Sequence, residues 1–305
     1  TRVRSSAASD VYKRQDLRNR LRQYSGRFAA FLQASAPTYP WGPARADAFG
    51  MIFDRVASFD LDLPNNDQPA NAPVSYPCLW DTPWHNWVQW DGSVPNQVGI
   101  ERLARNVGEV LGVFARIDLR KGLPYYDSSV NRPGLEALES TVSRLRSPAW
   151  PEAIFGPIDR DKAQQGQQIY GNLCAHCHPV VARDLPAPHC QPVYRSPLAE
   201  IGTDDAMGLT GLTRKVDTGR LQGAKQLLLF GNPLQNPDRA TNLVNNAVAG
   251  AIAGTYIPHP PSTGGTAALR SARAPGAARP SLTIAKPDWV SKRFRQWVLS
   301  VAARN

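Results

Sequence analysis

Residues 174–178 read Cys-Ala-His-Cys-His, and no other stretch constrains this chain as tightly. Two thiols three residues apart can form thioethers to both vinyl groups of one porphyrin, and the adjacent histidine reaches the iron from the same side. Cys174 and Cys177 are therefore expected to anchor one haem c, with His178 as its axial ligand. What precedes the motif agrees. Residues 159–173 carry a helical pattern: Asp159 is placed to cap, Lys162, Ala163, Gln164 and Gln165 are good helix formers, and Ile169, Tyr170 and Leu173 share an apolar face.

Class I cytochromes c enter their haem site through a helix of this kind, often with Gly-x-x-x-aromatic before the first cysteine. Gly166 and Tyr170 occupy those positions, the glycine permitting close helix crossing and the aromatic packing beside the porphyrin. A rival reading is a zinc site in an interaction domain, with Cys174 and Cys177 joined by His189 and Cys190. It leaves His178 and the preceding helix unexplained. A thioredoxin-like redox pair needs a strand-helix-strand context that is not visible around residue 174.

Haem attachment to this motif takes place outside the cytoplasm, so a periplasmic or secreted location is expected. Residues 1–15 lack the basic-then-apolar order of a signal peptide. Residues 5–15 instead read as translated adapter sequence, so the natural chain is expected to start near Asp16. In an oxidising compartment Cys78 and Cys190 could form a disulfide, although sequence does not show that they are close. The formal charge of +10 over 305 residues suits an acidic electron donor or acceptor protein, or haem propionates, and equally a plain solvated surface. No basic helix with interleaved aromatics suggests nucleic acid, and no apolar run approaches a membrane span. The nearest, residues 247–257, is short and interrupted by Gly250 and Gly254.

With 27 prolines and few strand signals, the expected fold is mainly α. It comprises a class I cytochrome c-like helical domain over 151–257 and a helical, loop-rich region over 16–150. Helical periodicity marks 16–35 (Leu17, Leu21, Tyr24, Phe28, Phe31, Leu32), 46–58, 97–117 (Ile100, Leu103, Val107, Val110, Leu111, Phe114) and 133–145. Residues 60–96 show no period, 180–203 read as loop, and 236–253 as partly helical. Proline around Trp150 marks a boundary. Residues 258–305 read as a Pro/Gly/Arg-rich linker ending in a basic helix.

Four of eight tryptophans, Trp80, Trp84, Trp87 and Trp90, fall within eleven residues. Such clusters are most often core; in a redox protein, indole rings can also relay electrons or shield a haem edge. Residues 76–93, Tyr-Pro-Cys-Leu-Trp-Asp-Thr-Pro-Trp-His-Asn-Trp-Val-Gln-Trp-Asp-Gly-Ser, are followed by Arg-Asn-Val-Gly-Glu-Val-Leu-Gly-Val-Phe at 105–114, Trp-Pro-Glu at 150–152 and the haem motif. Together they resemble dihaem c-type cytochromes related to rubber oxygenase A and, more distantly, the bacterial dihaem cytochrome c peroxidase and MauG superfamily. The resemblance covers roughly residues 16–220.

The resemblance implies a fragment of a dihaem oxidoreductase of peroxidase or oxygenase type. One haem would be catalytic and the other would transfer electrons, with Trp84, Trp87 or Trp90 as the inter-haem relay. A second haem motif is implied upstream of residue 16, and residues 258–305 do not match. The fragment itself is expected to carry electrons rather than to catalyse. The distal iron ligand stays open between Met207 and His259, with Tyr256 and His189 as further candidates. His85, among the tryptophans, reads as a structural histidine or as a site residue.

Overall fold

The computed structural model describes residues 2–119, 125–182 and 190–257, with side chains from residue 10 onward. His189, His259 and all of 258–305 lie outside the described residues.

The described chain is mainly α, with short two-stranded ribbons. The elements run α1 (Arg2–Ala34), β1 (Arg45–Ala46), α2 (Ala48–Asp54), a π-helical turn (Arg55–Asp60), β2 (Val74–Ser75), β3 (Trp87–Val88), β4 (Val94–Pro95), α3 (Gly99–Val113), α4 (Arg132–Val142), α5 (Glu152–Phe155), α6 (Arg160–Leu173), α7 (Leu198–Ile201) and α8 (Ala206–Thr213). β5 (Lys215–Val216), β6 (Lys225–Leu227), β7 (Phe230–Pro233), β8 (Asp238–Arg239) and α9 (Ala240–Gly254) complete them. The strands pair antiparallel as β1–β2, β3–β4, β5–β8 and β6–β7.

The body is organised around α3. Its apolar stripe buries Leu103, Val107 and Leu111, while Phe114 at its end is exposed; each buried aliphatic contributes about 1.5–3 kcal/mol relative to an exposed one. At the start of α3, the Glu101 carboxylate accepts from the backbone N–H groups of Gln97 and Val98. Against α3 pack α2, the π turn and α9, so that Phe53, Val56, Ala57, Leu221, Leu243, Ala247 and Ile252 join one core. The core therefore runs across the boundary expected near residue 150.

Two close approaches explain why glycines stand on these helices. A Cβ at Gly112 would overlap the Ile52 side chain, so α2 and α3 meet at van der Waals contact. On α9, a Cβ at Gly250 would overlap the Tyr126 ring and one at Gly254 would overlap the Tyr126 carbonyl oxygen. The glycines that break up the apolar run 247–257 thus form the groove that seats Tyr126, which is 1% exposed and donates to Asn246 Oδ1 at 2.7 Å.

The helix expected over 46–58 begins as α2, capped by Asp47, whose carboxylate accepts from Gly50 N and Ala72 N. It then widens into the π turn. Three charged side chains are buried here, Asp54 at the end of α2 and Arg55 and Asp60 in the turn. Asp54 pairs with Arg214, both buried, and Arg214 also donates to the Asn66 carbonyl at 2.8 Å. Arg55 pairs with Asp60 at 3.5 Å, each side chain 6% exposed, and lies over the Phe59 ring. Burial lifts the Asp60 carboxyl to about 7, against the lowering influence of Arg55. Helix α1 docks here through Tyr24, Phe28 and Phe31 against Phe59. Leu17 and Leu21 of the same expected stripe stay exposed.

Candidate functional site

Helix α6 forms where expected. Asp159 caps it, accepting from Lys162 N at 3.1 Å, and the good helix formers carry it to Leu173. The backbone then folds the Cys-x-x-Cys-His sequence into a tight turn: Cys174 N and Ala175 N both donate to the Tyr170 carbonyl, while Cys177 N and His178 N donate to the Cys174 carbonyl. Tyr170 closes the turn, its hydroxyl donating to the His178 carbonyl at 2.6 Å. It does so because α6 and the turn place Oη beside that carbonyl.

Cys174 is half-buried, Cys177 and His178 are exposed, and α6 buries none of its residues. Ile169 is 59% exposed, Leu173 78% and Val180 81%. Apolar side chains thus flank the motif without cover from the described chain.

The tryptophan loop is not core. Trp84 and Trp87 are half-buried, and Trp80 and Trp90 are exposed. Cations flank two of the indoles: Arg102 and Arg146 lie over Trp84 at 5.6 and 5.9 Å, and Arg195 over Trp87 at 4.1 Å, arrangements worth roughly 0.5–2 kcal/mol each. Arg146 is held by Asp81 at 2.9 Å. Trp84 Nε1 donates to the Ser143 carbonyl and Trp90 Nε1 to the Ser75 carbonyl.

Asn96, fully buried, staples the loop from within. Its Nδ2 donates to the carbonyls of Thr82 and His85, both at 3.0 Å, and its N–H to the Asn86 carbonyl. His85 thus sits in a fixed backbone position, and its neighbours Trp84 and Asn86 carry the link to the haem motif.

That link is the segment after the motif. Gln191 forms a parallel bridge with His85: its N–H donates to the Trp84 carbonyl at 2.8 Å and its carbonyl accepts from Asn86 N at 3.0 Å. Val193 N donates to Asn86 Oδ1 at 2.8 Å. Tyr194, on the same segment, meets the His176 ring inside the motif at 5.5 Å. Residues 191–193 are thus bonded to the Trp84–Trp87 stretch, and Tyr194 carries the contact to the Cys-x-x-Cys-His turn. Sequence reasoning missed Asn86, Asn96, Gln191, Tyr194 and Arg195, which carry no period or motif; only long-range pairing reveals them.

Met207 is buried on α8, an element packed on α2 and α9, whereas His178 faces solvent. Tyr256 is engaged elsewhere, under the Arg132 guanidinium at 4.4 Å. The four cysteines are free. Among the described residues no three His, Cys, Asp or Glu side chains cluster so as to hold a metal ion; His189, the fourth residue of the zinc reading, lies outside them. Nor is any helix of the described residues long and apolar enough to cross a membrane.

No family model matches the chain, and no solved structure matches it. Over 149 residues, 45% of the chain, it is 36% identical to "Uncharacterized protein y4iJ" of Sinorhizobium fredii (strain NBRC 101917 / NGR234). The chain spans 24% of that relative's length.

Proposed function

We propose that this chain binds one haem c through Cys174, Cys177 and His178 and transfers electrons as part of a periplasmic or secreted dihaem oxidoreductase. Support comes from one arrangement above all. A capped helix delivers the two thiols and the histidine in a single tight turn, and Ile169, Leu173 and Val180 stand uncovered beside it, an apolar surface that a porphyrin fixed at Cys174 and Cys177 would cover. The group, when bound, supplies a one-electron couple; the rest falls to the chain. Asp159 and the Tyr170 hydroxyl hold the turn in shape, and the Gln191 bridge holds the motif segment against Trp84 and Trp87.

On this reading α6 and the motif belong to a class I cytochrome c-like unit, Trp84, Trp87 and Trp90 are candidate relays, and the partner is an electron donor or acceptor protein. Met207 and His259 remain the candidate distal ligands. Expression with a c-haem maturation system should yield protein with a Soret band and the pyridine haemochrome of two thioethers. Cys174→Ala with Cys177→Ala should abolish covalent haem while leaving the circular dichroism of the body intact. Wild-type protein that emerges colourless from that system overturns the reading.

A further inference from the structure

Cys78 and Cys190 lie outside the haem motif, and the proposed function uses neither. Both are exposed, free thiols. The tertiary structure gives them a common address. The parallel bridge between His85 and Gln191 sets Cys190 alongside Trp84, one residue from the pair, and neighbouring strands lie about 4.8 Å apart. Cys78 stands six residues before Trp84 on the same loop, and the Thr82 hydroxyl donates to its carbonyl at 2.6 Å. Two cysteines 112 positions apart (190 − 78) are thereby brought to one end of the tryptophan loop.

Residues 76–80 are exposed and 76–79 carry no regular structure; Tyr76 N is held by the Ala44 carbonyl, and the residues after it, 77–80, touch none of the buried core. A disulfide needs the two Cα atoms within about 4.4–6.8 Å, so the bond requires the exposed 77–80 stretch to close on Cys190.

We infer that Cys78 and Cys190 form a disulfide that clamps the segment leaving the haem motif onto the tryptophan loop. The bond forms by thiol–disulfide exchange. A Cys78 or Cys190 thiolate attacks the disulfide of an oxidant protein, and the second thiolate resolves the mixed disulfide. The two thiols lose two protons and two electrons overall, and the oxidant's disulfide leaves as a dithiol. The clamp rests on the haem reading for its compartment, but not for its chemistry.

The test uses the full chain exported to an oxidising compartment. Without prior reduction, Cys78 and Cys190 should resist alkylation and appear in one cross-linked peptide. Reduction should add the mass of two hydrogens and release both peptides, while haem thioethers, if present, survive it. Amide exchange at Gln191 and Val193 should accelerate about tenfold or more on reduction, and equally in Cys78→Ser without it. Cys78→Ser removes an exposed side chain and should fold. Alkylation of both cysteines in the unreduced protein overturns the proposal, as does pairing of either with Cys174 or Cys177. The haem reading fails separately, on the absence of a Soret band.

Discussion

Asp60 shows how one residue can set a pH dependence. Its carboxyl lies in the π turn with 6% of the side chain exposed, facing Arg55, while Arg27 of α1 donates to the adjacent Phe59 carbonyl. Burial raises its pKa from 3.8 to about 7, so the folded state favours the protonated form. Folding then takes up a proton in that window. The stability Asp60 contributes is fully present below about pH 3.8 and is lost as pH rises through about 7, beyond which it levels off. Asp54, raised by burial against the opposing pull of Arg214, acts in the same direction. Denaturant unfolding of Asp60→Asn should therefore show a smaller drop in stability between about pH 5 and about pH 8 than the parent. An unchanged slope would assign the effect to other groups. None of this was legible in the sequence, where Asp60 stands at the edge of an unpatterned stretch; only the widened turn carries its side chain into the core.

Among elements, α9 illustrates how a pattern and its reason separate. The sequence shows an apolar run broken by glycines, which reads as partly helical; in the structure it is a continuous helix whose Gly250 and Gly254 admit Tyr126. Gly250→Ala drives a methyl into that ring with no room to yield, since Tyr126 is fixed by Asn246 and by its N–H to the Gly250 carbonyl. The cost should be about 1–3 kcal/mol or more, read as a lower urea midpoint at unchanged slope. A neutral result would show that the Tyr126 segment can shift.

Helices α3, α4 and α6 were legible because a 3.6-residue period and capping side chains are local properties. Helix α8 and the ribbons β5 to β8 were not: strands of two to four residues cannot display a period, and their pairing is decided by neighbours distant in sequence. The tryptophan cluster was legible as a cluster only. Its half-exposed setting, the flanking arginines and the Asn96 staple follow from tertiary approach.

At the scale of the whole molecule, packing is uneven. Helices α2, α3 and α9 share one core, whereas α5 and α6 bury no residue and are held mainly by short local contacts and the 190–195 bridge. Local opening should therefore begin around the haem motif, where few apolar contacts must break. Limited proteolysis is expected to cut within residues 150–182 well before it cuts α3 or α9, and haem loading under the proposed function should slow that first cut. Early cleavage inside α3 or α9 would contradict this ordering.

By itself the sequence determined the Cys-x-x-Cys-His spacing, its capped leading helix and the predominance of helix, because these depend on spacing and side-chain propensity over a few residues. Only the tertiary structure decided that residues before and after the motif share one core, that the tryptophan loop lies outside it, and that residues 190–195 join motif to loop. Those outcomes depend on which distant backbones come within hydrogen-bonding distance, a condition that no local spacing encodes.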